Sequence, residues 1–499
     1  MVMINMSEEI FDITVIGAGP GGYHTAIRAA QYGAKVALIE KKKLGGTCLN
    51  WGCIPTKALY ASSLMIEEIE EKAKDFGIEI SGEIKTNFSQ AVDRKNKVVE
   101  ELVGGIGALL KQRKVTVYMG TGSIIGGSDL NYQVKIEGQD NATIKTKKII
   151  IATGSTPALI PAFNIDHKRI LTSDDILDYD FKNVPKRLLV IGAGVIGCEF
   201  ANIFTRFGSK VIMLEFLPTM IATEETLIIR ELKKKFDEMG IELHVNQNVL
   251  KVENTGSGVK ATTCDASVPR DQVDSAEKSS FEADICLVSI GRAKVSDGLG
   301  LDNLGIKTER GQIIVNKDTL ETDAKGIYAI GDVTGGLMLA HVASYEGDIA
   351  VVNALTAIGG FGTKEEKPEY NVVPASIFTS PEIGSVGLRE KVVKEKGIKP
   401  WVGRFAFASL GKAKCMGADT GFMMVIGDPE TDKILGASCI GHSAPELIAE
   451  ISLAMRNGLT CHDVVKTIHS HPTISEMVLE SVEDVHGMAI HKAGRRRTK

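Results

Sequence analysis

FDITVIGAGPGG at residues 11–22 and KRLLVIGAGVIG at 186–197 are one pattern written twice. Each is a short apolar run that breaks into glycines, as a buried parallel strand feeding a tight turn would. Gly17, Gly19 and Gly22 recur as Gly192, Gly194 and Gly197. Further on, GAKVALIE ends at Glu40 and GSKVIMLE ends at Glu215, at the same offset. Both copies read as strand, glycine turn, helix, strand, acid. The glycines let the backbone approach a pyrophosphate seated on the N–H groups of the helix start, and the acid accepts from a ribose diol. Tight strand–helix packing without a ligand is the competing explanation for either copy alone. Two dinucleotide sites in one chain point to two different dinucleotides. Electron transfer between a flavin and a nicotinamide is the simplest use of such a pair.

Working outward, the chain reads as α/β, with two Rossmann-like dinucleotide-binding domains and a C-terminal α+β unit. Residues 1–155 form the first domain, with helices expected over 53–75 and 89–112. Residues 156–284 form the second. The run ADICLVSIGR (283–292) is a buried strand, and GIYAIGDVTGG (326–336) is another that rejoins the first domain, so 285–352 is assigned there. Residues 353–499 mix strands (FMMVIGD, ILGASCIG) with the helix APELIAEISLAMRNGLT. The polar stretch 254–280 reads as an exposed hairpin or loop. Asp332 ends a buried strand, where it either binds a sugar or ribityl hydroxyl or caps a helix.

Composition removes other classes. Basic residues number 58 against 63 acidic and aromatics are 5%, which leaves no electrostatic footprint or stacking platform for nucleic acid. No apolar run approaches the ~20 residues of a membrane span. The start MVMINMSEEIFD has neither a basic flank nor a long apolar stretch, so no secretory leader is expected. The basic tail Arg495–Arg497 with Lys499 reads as a solvated terminus.

Cys48 and Cys53 sit in GGTCLNWGCIPTKALY, close behind Glu40. Gly45, Gly46 and Gly52 surround them, and Pro55 is tolerated in a first helical turn. In an ideal helix such a pair stands roughly 8–9 Å apart at Cα, beyond the ~4.4–6.8 Å a disulfide wants. A Cys48–Cys53 bond therefore distorts the first turn, and strained bonds are the labile ones. One close pair in a chain of this kind reads as redox-active. A zinc half-site or two unrelated core thiols are the alternatives, and no metal site is expected because no second close pair exists. Lys57, one turn after Cys53, lowers a thiolate pKa or tunes a flavin if buried against an anion, for which Glu199 is the candidate. Otherwise it is a solvated helix lysine. The remaining cysteines, Cys198, Cys264, Cys286, Cys415, Cys439 and Cys461, are scattered, mostly in apolar runs.

Near the C-terminus, HPTISE places His471 before Pro472, with Glu476 five residues on. A carboxylate that holds one ring nitrogen leaves the other for proton transfer. A structural histidine is the alternative, and His469 is the competing candidate.

Together these pieces resemble the pyridine nucleotide–disulfide oxidoreductase family, and within it the branch that oxidises dihydrolipoamide. The matching stretches are GAGPGG (17–22), GGTCLNWGCIPTKAL (45–59), ATGS (152–155), GAGVIGCE (192–199), AIGDV (329–333), LAHVASYEG (339–347) and HPTISE (471–476). The resemblance implies that the first domain holds FAD. Its contacts would be Gly17, Gly19, Gly22, Glu40, Thr47, Lys57, Thr153, Gly154, Ser155, Asp332, Ala340 and His341. The second would hold NAD through Gly192, Gly194, Gly197, Glu199, Glu215, Gly291 and Arg292. It further implies a Cys48–Cys53 disulfide, with Cys48 exchanging with the dithiol, Cys53 facing the flavin and Lys57 paired with Glu199. His471, oriented by Glu476, would act from the partner subunit, so the C-terminal unit would be the dimerisation domain of a homodimer. Electrons would pass from dihydrolipoamide through the cysteines and FAD to NAD⁺. The partners implied are a lipoyl-bearing acyltransferase or H-protein of a 2-oxoacid dehydrogenase or glycine-cleavage assembly, in the cytoplasm. Reduction of another small disulfide is the alternative activity. Glu215 disfavours a 2′-phosphate, and no Arg or Lys lies in 216–229 to receive one, which favours NAD over NADP. GRAKVSDGL departs from the family's usual turn after Gly291.

Overall fold

A computed structural model describes residues 6–494. Residues 1–5, where the N-terminal reading begins, and the basic tail Arg495–Lys499 lie outside them. The first glycine repeat opens a six-stranded sheet. Strand Met6–Ile16 lies between Val36–Glu40 and Ala142–Ile151, parallel to both, with Ile13 beside Val36 and Lys148. All five residues of Val36–Glu40 are buried, as expected for a parallel strand covered on both faces. Strand Ile327–Ala329 joins this sheet beside Ala142–Ile151, as its apolar run and the glycine turn after it suggest. Helix Cys53–Lys72 and helix Phe88–Gln112 fall where the periodicity expects them.

The second repeat builds a wholly parallel five-stranded sheet, in the order Glu242–His244, Lys210–Leu214, Arg187–Ile191, Ile285–Val288, Ile170–Thr172. One boundary is corrected here. Ile285–Val288 pairs with Arg187–Ile191, so it belongs to the second nucleotide domain and not to the first. Its apolar run fits either parallel sheet equally well, and composition does not choose between them. The stretch 254–280 is a hairpin as expected, but not an exposed one: Val259–Asp265 is a strand between Gln247–Asn254 and Ser279–Ala283. Val259, Ala261 and Thr263 alternate inward and are buried, while polar neighbours mask the pattern.

The C-terminal unit is an antiparallel five-stranded sheet covered by helix Ala444–Arg456 and helix Glu476–Val485. Helix Cys53–Lys72 of the first domain packs against helix Val195–Arg206 of the second. Phe88 meets Phe204 and Phe207 at ring separations of 5.5 and 5.0 Å, and Arg206 pairs with Glu67 at 2.6 Å. This apolar and ionic seam carries Lys57 and Glu199 toward each other across the domain boundary. Among the described residues no helix is long and apolar enough to cross a membrane.

Candidate active site

The glycines of the two turns divide into two kinds. Gly17 has φ +101°, and a Cβ there would stand 2.4 Å from the Ala152 carbonyl oxygen; at Gly22 it would stand 1.8 Å from that of Gly17. The second copy repeats this, with Gly192 at φ +99° and a Gly197 Cβ 2.0 Å from the Gly192 oxygen. Close backbone packing accounts for these four. It does not account for the middle glycines. A Cβ at Gly194 would meet nothing within 4 Å, and one at Gly19 only the Gly46 Cα at 4.0 Å. Both have φ values open to any residue. Their free faces lie at the starts of helices Pro20–Gln31 and Val195–Arg206, where a pyrophosphate approaches the backbone.

Each strand-end acid is set by two backbone amides. Glu40 accepts from Ala18 N at 2.8 Å and Lys42 N at 2.7 Å. Glu215 accepts from Ala193 N at 2.6 Å and Leu217 N at 2.8 Å. Every partner in one copy has its counterpart in the other. Both carboxylates are buried, and each oxygen keeps a second lone pair for a ribose hydroxyl.

Cys48 and Cys53 lie on two helices that break at Gly52, Gly46–Trp51 and Cys53–Lys72. The break at Gly52 releases the pair from the geometry of a single continuous helix. The first helix lies hard against the first glycine turn. Gly45 N donates to Ala18 O at 2.8 Å, and a Cβ at Gly46 would lie 2.6 Å from the Gly19 Cα. Asn50 Nδ2 braces it by donating to Leu44 O and Gly46 O. The structure records both cysteines as free thiols, Cys53 exposed and Cys48 half-buried. They are hydrogen-bonded to each other, and the Cys53 thiol is brought down to about 7. The Cys48 bond is the largest cause; burial opposes it, the Lys57 charge assists and Glu199 opposes. That same bond, with burial, pushes the Cys48 thiol far up. One sulfur is therefore poised as thiolate and its neighbour as donor.

Lys57 Nζ donates to both carboxylate oxygens of Glu199 at 2.9 Å. Glu199 also accepts from Phe378 N at 3.0 Å, and the ammonium lies 4.7 Å from the centre of the Phe378 ring. Sequence reasoning named this pair without a distance; the seam between the two helices supplies it.

Glu40, Gly17, Gly19, Thr47, both cysteines, Lys57, Thr153, Gly154, Ser155, Asp332, Ala340, His341 and Glu199 line one cavity of about 1540 Å³. It runs from Glu40 to the two sulfurs, and its volume and donor set fit an FAD. Asp332 accepts from the Ser155 hydroxyl, and His341 Nε2 is 2.9 Å from Pro374 O. Arg292, expected to contact NAD, lines this cavity as well. It donates to Ser155 Oγ at 2.7 Å and to Ser155 O at 2.9 Å, and reaches Thr47 Oγ1 at 3.5 Å. The cause is the antiparallel pairing of Arg292–Lys294 with Ser155–Pro157. Gly192, Gly194, Gly197, Glu215 and Gly291 do not line this cavity; Val195, Ile196 and Phe200, beside the second turn, do.

One residue escaped the sequence reading. Glu346 is buried, accepting from Gly331 N at 2.6 Å and from the Tyr370 hydroxyl at 2.7 Å. It fixes the turn that presents Asp332. Its signal was a lone acid on the buried face of the apolar helix Ala340–Ile358.

His471 Nδ1 is 2.9 Å from Glu476 Oε1, and Thr473 N donates to Glu476 Oε2 at 2.9 Å. Burial pushes the Glu476 carboxyl up, but the His471 bond and the Thr473 amide more than offset it and leave it below the usual range. His471 is exposed and its Nε2 has no partner among the described residues. His469 differs. Its side chain is tucked in, with one nitrogen against Glu450 at 2.8 Å and the other against Thr467 O at 2.9 Å. His471 does not line the cavity of its own chain. Of the remaining cysteines, Cys415 is exposed and the other five are buried. Among the described residues no group of three or more His, Cys, Asp or Glu is placed to hold a metal.

Comparisons with known proteins agree with this geometry. Residues 11–347 match the pyridine nucleotide-disulphide oxidoreductase family, and 373–482 match that family's dimerisation domain. A dihydrolipoyl dehydrogenase of Chlamydia trachomatis is 41% identical over 475 residues, covering 95% of this chain and 96% of its own. One from Bacillus subtilis is 39% identical over 487 residues, covering 96% and 99%. The crystal structure of LpdA from Mycobacterium tuberculosis superimposes with a TM-score of 0.85 at 28% identity, covering 95% of this chain and 99% of its own. With its two glycine turns, its paired thiols and a family match over most of its length, the chain belongs to the pyridine nucleotide-disulphide oxidoreductase family.

Proposed function

We propose that the chain is an NAD-dependent dihydrolipoyl dehydrogenase that oxidises dihydrolipoamide to lipoamide and reduces NAD⁺ to NADH. The observation that carries this reading is the asymmetric pair of sulfurs at the end of the FAD-sized cavity. Relatives named dihydrolipoyl dehydrogenase at about 40% identity over nearly the whole chain support the substrate. FAD is held by the first glycine turn, Glu40, Ser155 and Asp332, and NAD by the second turn and Glu215. When bound, FAD supplies the two-electron acceptor between the cysteines and the nicotinamide.

The chain's own residues act as follows. In the oxidised state Cys48 and Cys53 form a disulfide. His471 Nε2 takes the proton of one dihydrolipoamide thiol and passes it to solvent, the resulting thiolate attacks Cys48 Sγ, the S–S bond breaks, and Cys53 leaves as thiolate. Attack on Cys48 is favoured because it expels the sulfur whose anion the site stabilises, and the thiol of lower pKa leaves faster. His471 Nε2 takes the proton from the second substrate thiol. That thiolate attacks its own partner sulfur in the mixed disulfide, releasing lipoamide, and the pair on Cys48 takes a proton. Glu476 holds the imidazole with Nε2 free. Lys57, fixed by Glu199, contributes positive charge that favours the Cys53 thiolate.

His471 does not line its own chain's cavity, which fits a base that serves the partner subunit of a homodimer joined through the C-terminal unit. Lipoyl-bearing acyltransferase or H-protein is the substrate carrier, and a reducing compartment, the cytoplasm, suits an exchanging dithiol. The test compares turnover of dihydrolipoamide and of reduced glutathione with NAD⁺. Equal or greater turnover with glutathione overturns the substrate assignment.

A further inference from the structure

Two histidine–glutamate pairs stand one helical turn apart on helix Glu476–Val485. Glu476 and Glu480 lie at i and i+4, on one face. Glu476 holds His471, and Glu480 holds His491 through both Nδ1 and the backbone amide. Glu480 is buried. Beyond the helix the chain turns at Gly487, φ +70°, and runs back along it as a strap. Lys492 pins the strap a second time, on Asp484, which also accepts from Arg404 N at 2.7 Å. Nothing in the reaction as described uses His491.

We propose that His491 is a positioning residue, whose cation, clamped on Glu480, sets the electrostatics of the neighbouring His471–Glu476 pair and extends dithiol oxidation to lower pH. The proposal rests on the reading of His471 as the base. The charged groups facing His491 are Glu480, Glu476 and Glu483, all on the one helix; the strap's own neighbour is Lys492. The Glu480 bond and charge, with the other two acids, raise His491 above its ordinary value, so its cation persists through the usual imidazole range and is lost as pH rises past the raised value. While present, it helps keep Glu476 ionised, behind the His471 bond and the Thr473 amide. The same charge, one helical turn from the His471–Glu476 pair, disfavours a further proton on that pair as a unit, so dithiol oxidation extends further into acid.

The test is the pH profile of kcat/KM for dihydrolipoamide with the FAD-loaded full chain, in wild type, His491→Gln and His491→Lys. Glutamine keeps a donor toward Glu480 without charge, and lysine keeps the charge. His491→Gln should move the acid limb up by about 0.3–0.5 pH unit, the effect of one charge roughly a helical turn and a side chain away in a water-like dielectric. His491→Lys should leave the limb in place, and flavin reduction by NADH should match wild type in both. An unmoved limb in His491→Gln, or equal displacement by Gln and Lys, overturns the proposal. His471→Gln separates the two readings. If it retains full lipoamide turnover, the base assignment falls and takes this proposal with it. If it is inactive while the His491→Gln limb is unmoved, only the His491 proposal falls.

Discussion

Replacing Cys48 by alanine removes the donor that contributes most to lowering the Cys53 thiol to about 7. A hydrogen bond to an ionised acceptor is worth about 1.5–3 kcal/mol, or about 1–2 pK units. The Cys53 thiol should therefore rise to about 8–9. At pH 7 the thiolate fraction then falls from about one half to between ~9% and ~1%, and alkylation slows by about 5–50-fold. The assay is the rate of iodoacetamide labelling of Cys53, read by peptide mass spectrometry on anaerobically reduced protein. Cys415 is the other exposed thiol, so a Cys415→Ser background removes its competition. The five buried cysteines are protected by packing. Cys48→Ser restores a hydroxyl donor and should label within about twofold of wild type, which separates the hydrogen bond from any change in packing. Labelling of Cys48→Ala as fast as wild type at pH 7 would refute the reasoning, because the asymmetry of the two sulfurs would then not come from their mutual bond.

Lys57→Met strands the buried Glu199 carboxylate, which keeps only the Phe378 amide, and should lower stability by about 3–5 kcal/mol in a denaturant melt; a melt within 1 kcal/mol of wild type contradicts a buried pair. Gly194→Ala meets open space and should fold normally yet raise the KM for NAD⁺ several-fold, whereas Gly197→Ala forces a Cβ into the Gly192 carbonyl and should lose the second domain's turn altogether. His471→Gln should cut lipoamide turnover by about 10²–10⁴-fold while NADH still reduces the flavin at the wild-type rate in a stopped-flow trace. Because the Glu476 carboxyl lies below its ordinary value, its bond to His471 contributes stability above the unfolded carboxylate range that is lost as pH falls through the folded value. The melting temperature of Glu476→Gln should thus approach that of wild type only in acid.

The parts of this site that were legible beforehand are those where chemistry leaves few residue choices. A tight turn against a strand admits only glycine at Gly17 and Gly22, so the repeat could be read without coordinates. The acids Glu40 and Glu215 follow at the spacing of one strand–helix–strand unit, and the cysteines announce themselves by proximity. What stayed hidden depended on tertiary neighbours. Ile285–Val288 could join either parallel sheet, because a run buried on both faces carries no mark of its partner. Val259–Asp265 alternates inward, but Lys260, Thr262 and the polar residues around it obscure the period. The resemblance sets Arg292 with NAD, and only its pairing with Ser155–Pro157 reveals its bonds to Ser155. The Lys57–Glu199 bond joins two domains, and no local pattern gives a contact across a domain boundary. Glu346 was visible as an acid on an apolar helix, but its purpose needs the Gly331 amide beside it.

Electron exchange between these two sulfurs and a flavin in the adjoining cavity is read by anaerobic titration of the FAD-loaded protein with dihydrolipoamide, followed by absorbance. A long-wavelength thiolate-to-flavin band should saturate at about one dithiol per flavin in wild type, stand without added dithiol in Cys48→Ser, and be absent from Cys53→Ser. A flavin that is bleached with no such band in the wild type, or a band that survives in Cys53→Ser, would contradict it.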